Sequence, residues 1–145
     1  MTNEVKKVVV VDAPPTVVFR ALTDEKELVQ WMPREAKMDA RVGGRYEFKF
    51  YWEARKQESV AKGEILELVP GRKLSYTFSS MRGGSTPGTA NSVVTWTLDE
   101  LPSGKTMVTL VHSGIAEELA GDKDMGWGYF TTQLAVHCAK ITVKL

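Results

Sequence analysis

Few side chains in this sequence are of types that do covalent chemistry, and their spacing narrows what they can do. There are two histidines, His112 and His137, far apart along the chain, and one cysteine, Cys138. A thiol nucleophile needs a base beside it. The spacing supplies none, so Cys138 reads as a small buried apolar residue. His112 falls on the same strand face as Val108 and Leu110. General-base catalysis there would need a reacting group and a carboxylate to orient the ring. No acid sits at the matching phase of neighbouring strands. That leaves a neutral core histidine bonded to backbone or to a neighbouring hydroxyl, or a polar anchor for a bound molecule. His137 lies off the main helical stripe and is expected in solvent. No CxxC or HExxH pattern marks a metal site, and no Walker-type loop, GxSxG elbow or dinucleotide fingerprint is present. The expectation is no catalytic residue, no metal and no cofactor.

What remains is binding. In "GRYEFKFYWEA", Tyr46, Phe48, Phe50 and Trp52 occupy every second position, giving one strand face of four rings. Such a face is either packed core or the wall of a pocket for an apolar or aromatic ligand. Tyr76 and Phe78 in "RKLSYTFS" and Trp96 in "SVVTWTLDEL" continue the pattern. Tyr46, Tyr76 and Trp96 carry O–H or N–H groups that need partners when buried, and a ligand carbonyl is one such partner. Trp31 and Met32 either anchor a short helix to the sheet or form a pocket mouth, where methionine adapts to different shapes. Trp127, Phe130 and Leu134 complete the candidate lining.

These residues need elements to hold them. "EVKKVVVVDA" reads as an opening strand, ended by Pro14 and Pro15, which also suit a first helical turn. "TVVFRALTD" follows as a short helix with Val18, Phe19 and Leu22 at helical spacing. A second short helix starts at Asp24, which with Glu27 resembles a capping box. It carries Leu28, Trp31 and Met32 on one face and stops at Pro33. Strands follow at "REAKMDARV", the aromatic stretch, "SVAKGEILELV", "RKLSYTFS", "SVVTWTLDEL" and "TMVTLVHSG", separated by turns such as Pro70-Gly71. Ser79 to Ser92 reads as a long loop.

The period then changes. Trp127, Phe130, Leu134, Cys138, Ile141 and Leu145 step by three or four, one stripe of a helix about five turns long. Asp122 or Asp124 is placed to cap it. Its β-branched residues are poor helix formers, so packing must hold it. Gly126 and Gly128 read as close packing of helix on sheet, or as a mobile lid at the helix start with Trp127 as its plug. Tyr129, Val136 and Val143 form a second stripe, a self-association patch if exposed. The fold class is α+β: a strand, two short helices, about six antiparallel strands, and a helix covering the apolar sheet face.

The whole chain, residues 1–145, suits one domain. Hydrophobic residues make up 43% and charged residues 26%, with 19 basic against 18 acidic side chains and a net charge of +1. That balance argues against nucleic acid or an anionic membrane as the main partner. No apolar run approaches the roughly 20 residues that span a bilayer. "MTNEVKKVVVV" lacks a signal peptide's longer apolar region and cleavage site. With one cysteine and no internal disulfide, the expected compartment is a reducing cytoplasm.

The order of elements, with "PPTVVFRALTDEKELVQWM", "DARVGGRYEFKF", "GEILELVPGRKLSYTF", "SVVTWTLDE", "VTLVHSGI" and "GWGYF", resembles the START-like, or helix-grip, superfamily. Birch-pollen allergen and polyketide cyclases belong to it. More narrowly the chain is similar to the domain family named after the C-terminal domain of the heat-shock-protein ATPase activator. The resemblance implies a curved antiparallel sheet of six or seven strands gripping the long C-terminal helix, with a cavity between them and the two short helices at one end. It implies a small apolar or amphipathic ligand, bound by a carrier or sensor. The rival classes are a protein-interaction module, including a homodimer, and a cyclase- or hydrolase-type enzyme. The enzyme would need a titratable pair in the pocket, where alternation places aromatics and one histidine, so a non-catalytic role is favoured. Fold alone does not choose among these.

Overall fold

Stretches of period two become strands, and the stretch of period 3.6 becomes the long helix. The computed structural model describes residues 2–52, 56–82, 86–87, 92–116 and 120–144. In chain order the elements are β1 (Thr2–Val11), α1 (Pro15–Thr23), α2 (Glu25–Leu28), β2 (Glu35–Met38), β3 (Arg45–Trp52), β4 (Gln57–Val69), β5 (Lys73–Arg82), β6 (Thr86–Pro87), β7 (Ser92–Glu100), β8 (Thr106–Ala116) and α3 (Ala120–Lys144). Seven strands pair antiparallel in the order β1-β8-β7-β5-β4-β3-β2, and β6 pairs with β5. This is the expected α+β helix-grip architecture: a curved open sheet, two short helices after the first strand, and a long C-terminal helix across the apolar face.

Bulges bend the sheet. Register shifts between Ile65 and Glu67 in β4 and between Asn3 and Val5 in β1. An extra residue on one strand kinks it and raises its twist. Near the bend, Gly63 pairs with Tyr46 of β3. A Cβ at Gly63 would overlap the carbonyl oxygen of Thr77 on β5. The Tyr46 hydroxyl reaches that same carbonyl and donates to it at 2.7 Å. Tyrosine on one strand and glycine on the next thus form one unit, the ring crossing where a side chain would otherwise stand.

Trp127, Phe130, Leu134 and Cys138 of α3 are buried, and Ile141 packs against the core, as the stripe predicts. Tyr129 and Val136 are exposed. The side chain of Val143, and Leu145, lie outside the described residues.

Other local readings are corrected. Strand β2 ends at Met38 rather than running to Val42, because Arg41 to Gly44 turn: the Gly44 N–H donates to Arg41 O and the Gly43 N–H to Ile65 O. Helix α2 ends at Leu28, well before Pro33. Trp31 and Met32 follow in a turn, both donating N–H to Leu28 O; a residue before proline is pushed out of helical geometry. Asp24 does cap α2, its Oδ1 accepting from the N–H groups of Lys26 at 2.8 Å and Glu27 at 3.3 Å. The reciprocal half of the box is missing. Glu27 instead meets His137 Nε2 at 2.7 Å and Arg20 Nε at 3.6 Å. His137 is therefore partly buried against α2, not solvated. Helix α3 starts at Ala120, ahead of both proposed caps. A Cβ on Gly126 would meet open space and one on Gly128 only the Lys7 side chain, so close packing does not explain either glycine. Of the expected loop from Ser79 to Ser92, β5 claims residues through Arg82, and Thr86–Pro87 pairs back onto Met81 and Arg82. Residues 83–85 and 88–91 lie outside the described residues.

Two alanine substitutions are expected to act in opposite directions. Gly63→Ala should lower stability by about 1–3 kcal/mol by overpacking. Gly126→Ala, in open space on a helix, should raise it by up to about 1 kcal/mol. Urea unfolding midpoints at unchanged m-value read both.

Candidate functional site

Most of the rings singled out in the sequence close on one another. Trp31, held by its indole N–H donating to Ala21 O at 2.9 Å, meets Trp96 edge to face at 6.1 Å between centroids. Trp96 meets Trp127 the same way at 5.7 Å and donates its own N–H to the Tyr76 hydroxyl at 3.0 Å. Tyr76 packs 4.6 Å from Tyr46, which packs 4.8 Å from Phe48. Burial pushes both phenols well above the usual tyrosine range. For Tyr46 the neighbouring Tyr76 adds to this; for Tyr76 the bond from Trp96 works against it. Both stay neutral.

A second set of polar groups threads the same layer. Trp127 Nε1 donates to His112 Nδ1 at 2.9 Å. Nδ1 is therefore an acceptor, and the imidazole proton sits on Nε2, 2.8 Å from Ser92 Oγ. Ser92 in turn donates to Phe78 O at 2.7 Å, and the Phe78 ring stands edge-on to His112 at 4.8 Å. The hydroxyl expected beside His112 is Ser92. The Cys138 thiol, buried on α3, is pushed up to about 12 by burial and by the Glu27 charge, so it stays protonated. Among the described residues no group of three histidine, cysteine, aspartate or glutamate side chains could hold a metal ion, and no helix is long and apolar enough to cross a membrane.

The aromatic face of β3 then leaves the core. Tyr46 and Phe48 are buried, but Phe50 is half-buried and meets Phe130 of α3 at 5.6 Å. Here a cleft of about 600 Å³ opens between sheet and helix. It is lined by Met32, Pro33 and Arg34 from the α2–β2 connection, Phe50 and Tyr51 from β3, and Tyr129 and Phe130 from α3. Of the sequence candidates, the structure brings Met32, Phe50 and Phe130 together on this cleft. Trp31, Tyr46, Phe48, Tyr76, Phe78, Trp96, His112, Trp127 and Leu134 lie buried behind it. The Trp52 side chain lies outside the described residues.

Sequence reasoning missed Pro33, Arg34, Tyr51 and Tyr129. Tyr51 is out of phase with the aromatic face and so is assigned outward. Strand β2 pairs with β3 only as far as Lys49, so beyond it the β3 edge on that side is uncovered and the cleft reaches round it. The early end of β2 is the signal, and nothing in the alternation shows it.

With this geometry in place, the chain can be set beside known proteins. Residues 12–139 match the family model described as activator of Hsp90 ATPase homolog 1-like protein. The chain belongs to this family. Protein CV1439 from Chromobacterium violaceum is 32% identical, with 92% of this chain and 96% of that chain covered and a TM-score of 0.76. CalU16 from Micromonospora echinospora is 22% identical, with 99% and 88% covered and a TM-score of 0.71. The Aha1 dimer from Colwellia psychrerythraea is 17% identical, with 92% and 93% covered and a TM-score of 0.73. The last two share the fold. No curated protein matches the chain in sequence. Membership of the family bears out the START-like, helix-grip resemblance.

Three substitutions separate core from cleft within this family fold. Phe48→Ala should cost about 3–5 kcal/mol, as a buried ring does, and Phe50→Ala distinctly less. Trp127→Phe removes the donor to His112 Nδ1 and should cost about 1–3 kcal/mol. Chemical denaturation measures all three.

Proposed function

We propose that the chain binds a small hydrophobic or amphipathic molecule in the cleft between sheet and C-terminal helix, as a carrier or sensor. One observation carries the reading. The aromatic face of β3, closed by the protein's own groups at Tyr46 and Phe48, opens at Phe50 into a cleft of about 600 Å³ walled by Met32, Tyr51 and Phe130. That size and lining suit a small organic guest. Affinity would come from apolar burial, about 25 cal/mol per Å² before ordering costs.

The test uses a neutral apolar fluorophore such as N-phenyl-1-naphthylamine. Saturable emission enhancement is expected, weakened by Phe50→Ala and abolished by Met32→Trp, which fills the cleft; circular dichroism checks that the variant is folded. The reading is overturned if no member of a broad lipid and aromatic set binds saturably, or if Met32→Trp leaves binding intact.

A second reading is a protein partner, including a second copy. Tyr129 and Val136, 58% and 45% exposed, lie seven residues apart along α3 and so on one outward face. The Colwellia psychrerythraea relative is described as a dimer. If this face self-associates, Val136→Asp should convert a dimer to a monomer in light scattering; a wild-type chain that stays monomeric at high concentration removes the homodimer.

A further inference from the structure

The cleft has a polarity of its own. Met32, Phe50 and Phe130, half-buried or buried, form its inner part, and the exposed Arg34 stands at its rim. Arg34 is the one charged side chain among the described residues that line it. Its backbone N–H donates to Lys49 O at 2.7 Å, which ties its base to β3. Its guanidinium carbon lies over the Tyr51 ring, 5.3 Å from the centroid. The head is thus held against the cleft wall by a ring rather than by an acid. Among the described residues no carboxylate pairs with it; the neighbouring Glu35 faces Lys49 instead, at 3.9 Å. A guanidinium stays charged at any ordinary pH, and its planar fork of donors matches a carboxylate.

We infer that the guest is an amphipathic carboxylate. This rests on the cleft reading above and deepens it. The alkyl or aryl body lies on Met32, Phe50 and Phe130, and the carboxylate sits at the mouth and accepts from the Arg34 guanidinium. The site therefore selects acids over neutral molecules of the same shape.

Calorimetric titration of the full chain with decanoate and naphthalene-2-carboxylate, each against its own primary amide, tests this. Each amide keeps the size and planarity of the acid and loses the charge. The acids should bind about tenfold tighter at low salt, between the values typical of an exposed and a desolvated ion pair. The preference should shrink as salt is added. Arg34→Gln should equalise acid and amide, and Arg34→Lys should keep part of the preference. Far-ultraviolet circular dichroism checks that each variant is folded. If acid and amide bind equally well and Met32→Trp removes both, the carboxylate inference fails while the cleft reading stands. If neither binds, or Met32→Trp removes neither, the cleft reading fails and takes the inference with it. If the preference survives Arg34→Gln, the carboxylate is held elsewhere and Arg34 is wrongly assigned.

Discussion

A buried indole must find an acceptor for its single N–H, and in this protein that demand organises the seam between helix and sheet. Trp127 enters the apolar layer from α3, and its N–H ends on His112 Nδ1. That contact fixes the tautomer of His112, which fixes the role of Ser92, which fixes the bond to the Phe78 carbonyl. A hydrocarbon at position 112 would leave the indole unsatisfied, at a cost comparable to a lost buried hydrogen bond. A helix sliding by one residue would break the contact. Apolar stripes press α3 onto the sheet, but they tolerate small slips. The indole–imidazole bond does not, so it defines the register in which the helix lies.

The same internal satisfaction decides where a guest can go. Buried polar atoms of Tyr46, Trp31, Trp96 and His112 are met by protein groups. Their neighbours are rings, not space. The aromatic face of β3 accordingly has two parts of different character. Where β4 and β2 flank it on both sides, its rings are core. Past the last β2 pair at Lys49, its rings line an opening. One alternating run thus serves both purposes, and the change between them is set by the length of the neighbouring strand.

That explains which parts were legible in the sequence. Trp127, Phe130, Leu134 and Cys138 are near neighbours along the chain, so periodicity alone placed them on one buried face. Trp96, and Val108, Leu110 and His112, were legible from alternation in the same way. The ordered motifs carried the fold and the family. The cleft was only partly legible. Arg34 and Tyr51 line it because of where β2 stops pairing, a property of two strands together. The bond between Glu27 and His137 joins groups far apart in sequence, and local rules assigned Glu27 to a capping box that its side chain does not complete. Periodicity reports which way a residue faces. It does not report whether the element beside it is long enough to cover it.

An open sheet has two borders, and they differ. On one side stands β2, only four residues long. On the other stands β1, ten residues long, its outward Val8 and Val10 exposed. A long, valine-rich border strand is a template on which another chain can add itself edge to edge. Lys7 shares the inward phase of Val5 and Val11, and a charge set there would be forced into an apolar layer by any incoming strand that extended the sheet. Exchanging Lys7 for an aliphatic residue would leave the inward phase of that border apolar from Val5 to Val11 and remove this guard against edge-to-edge association.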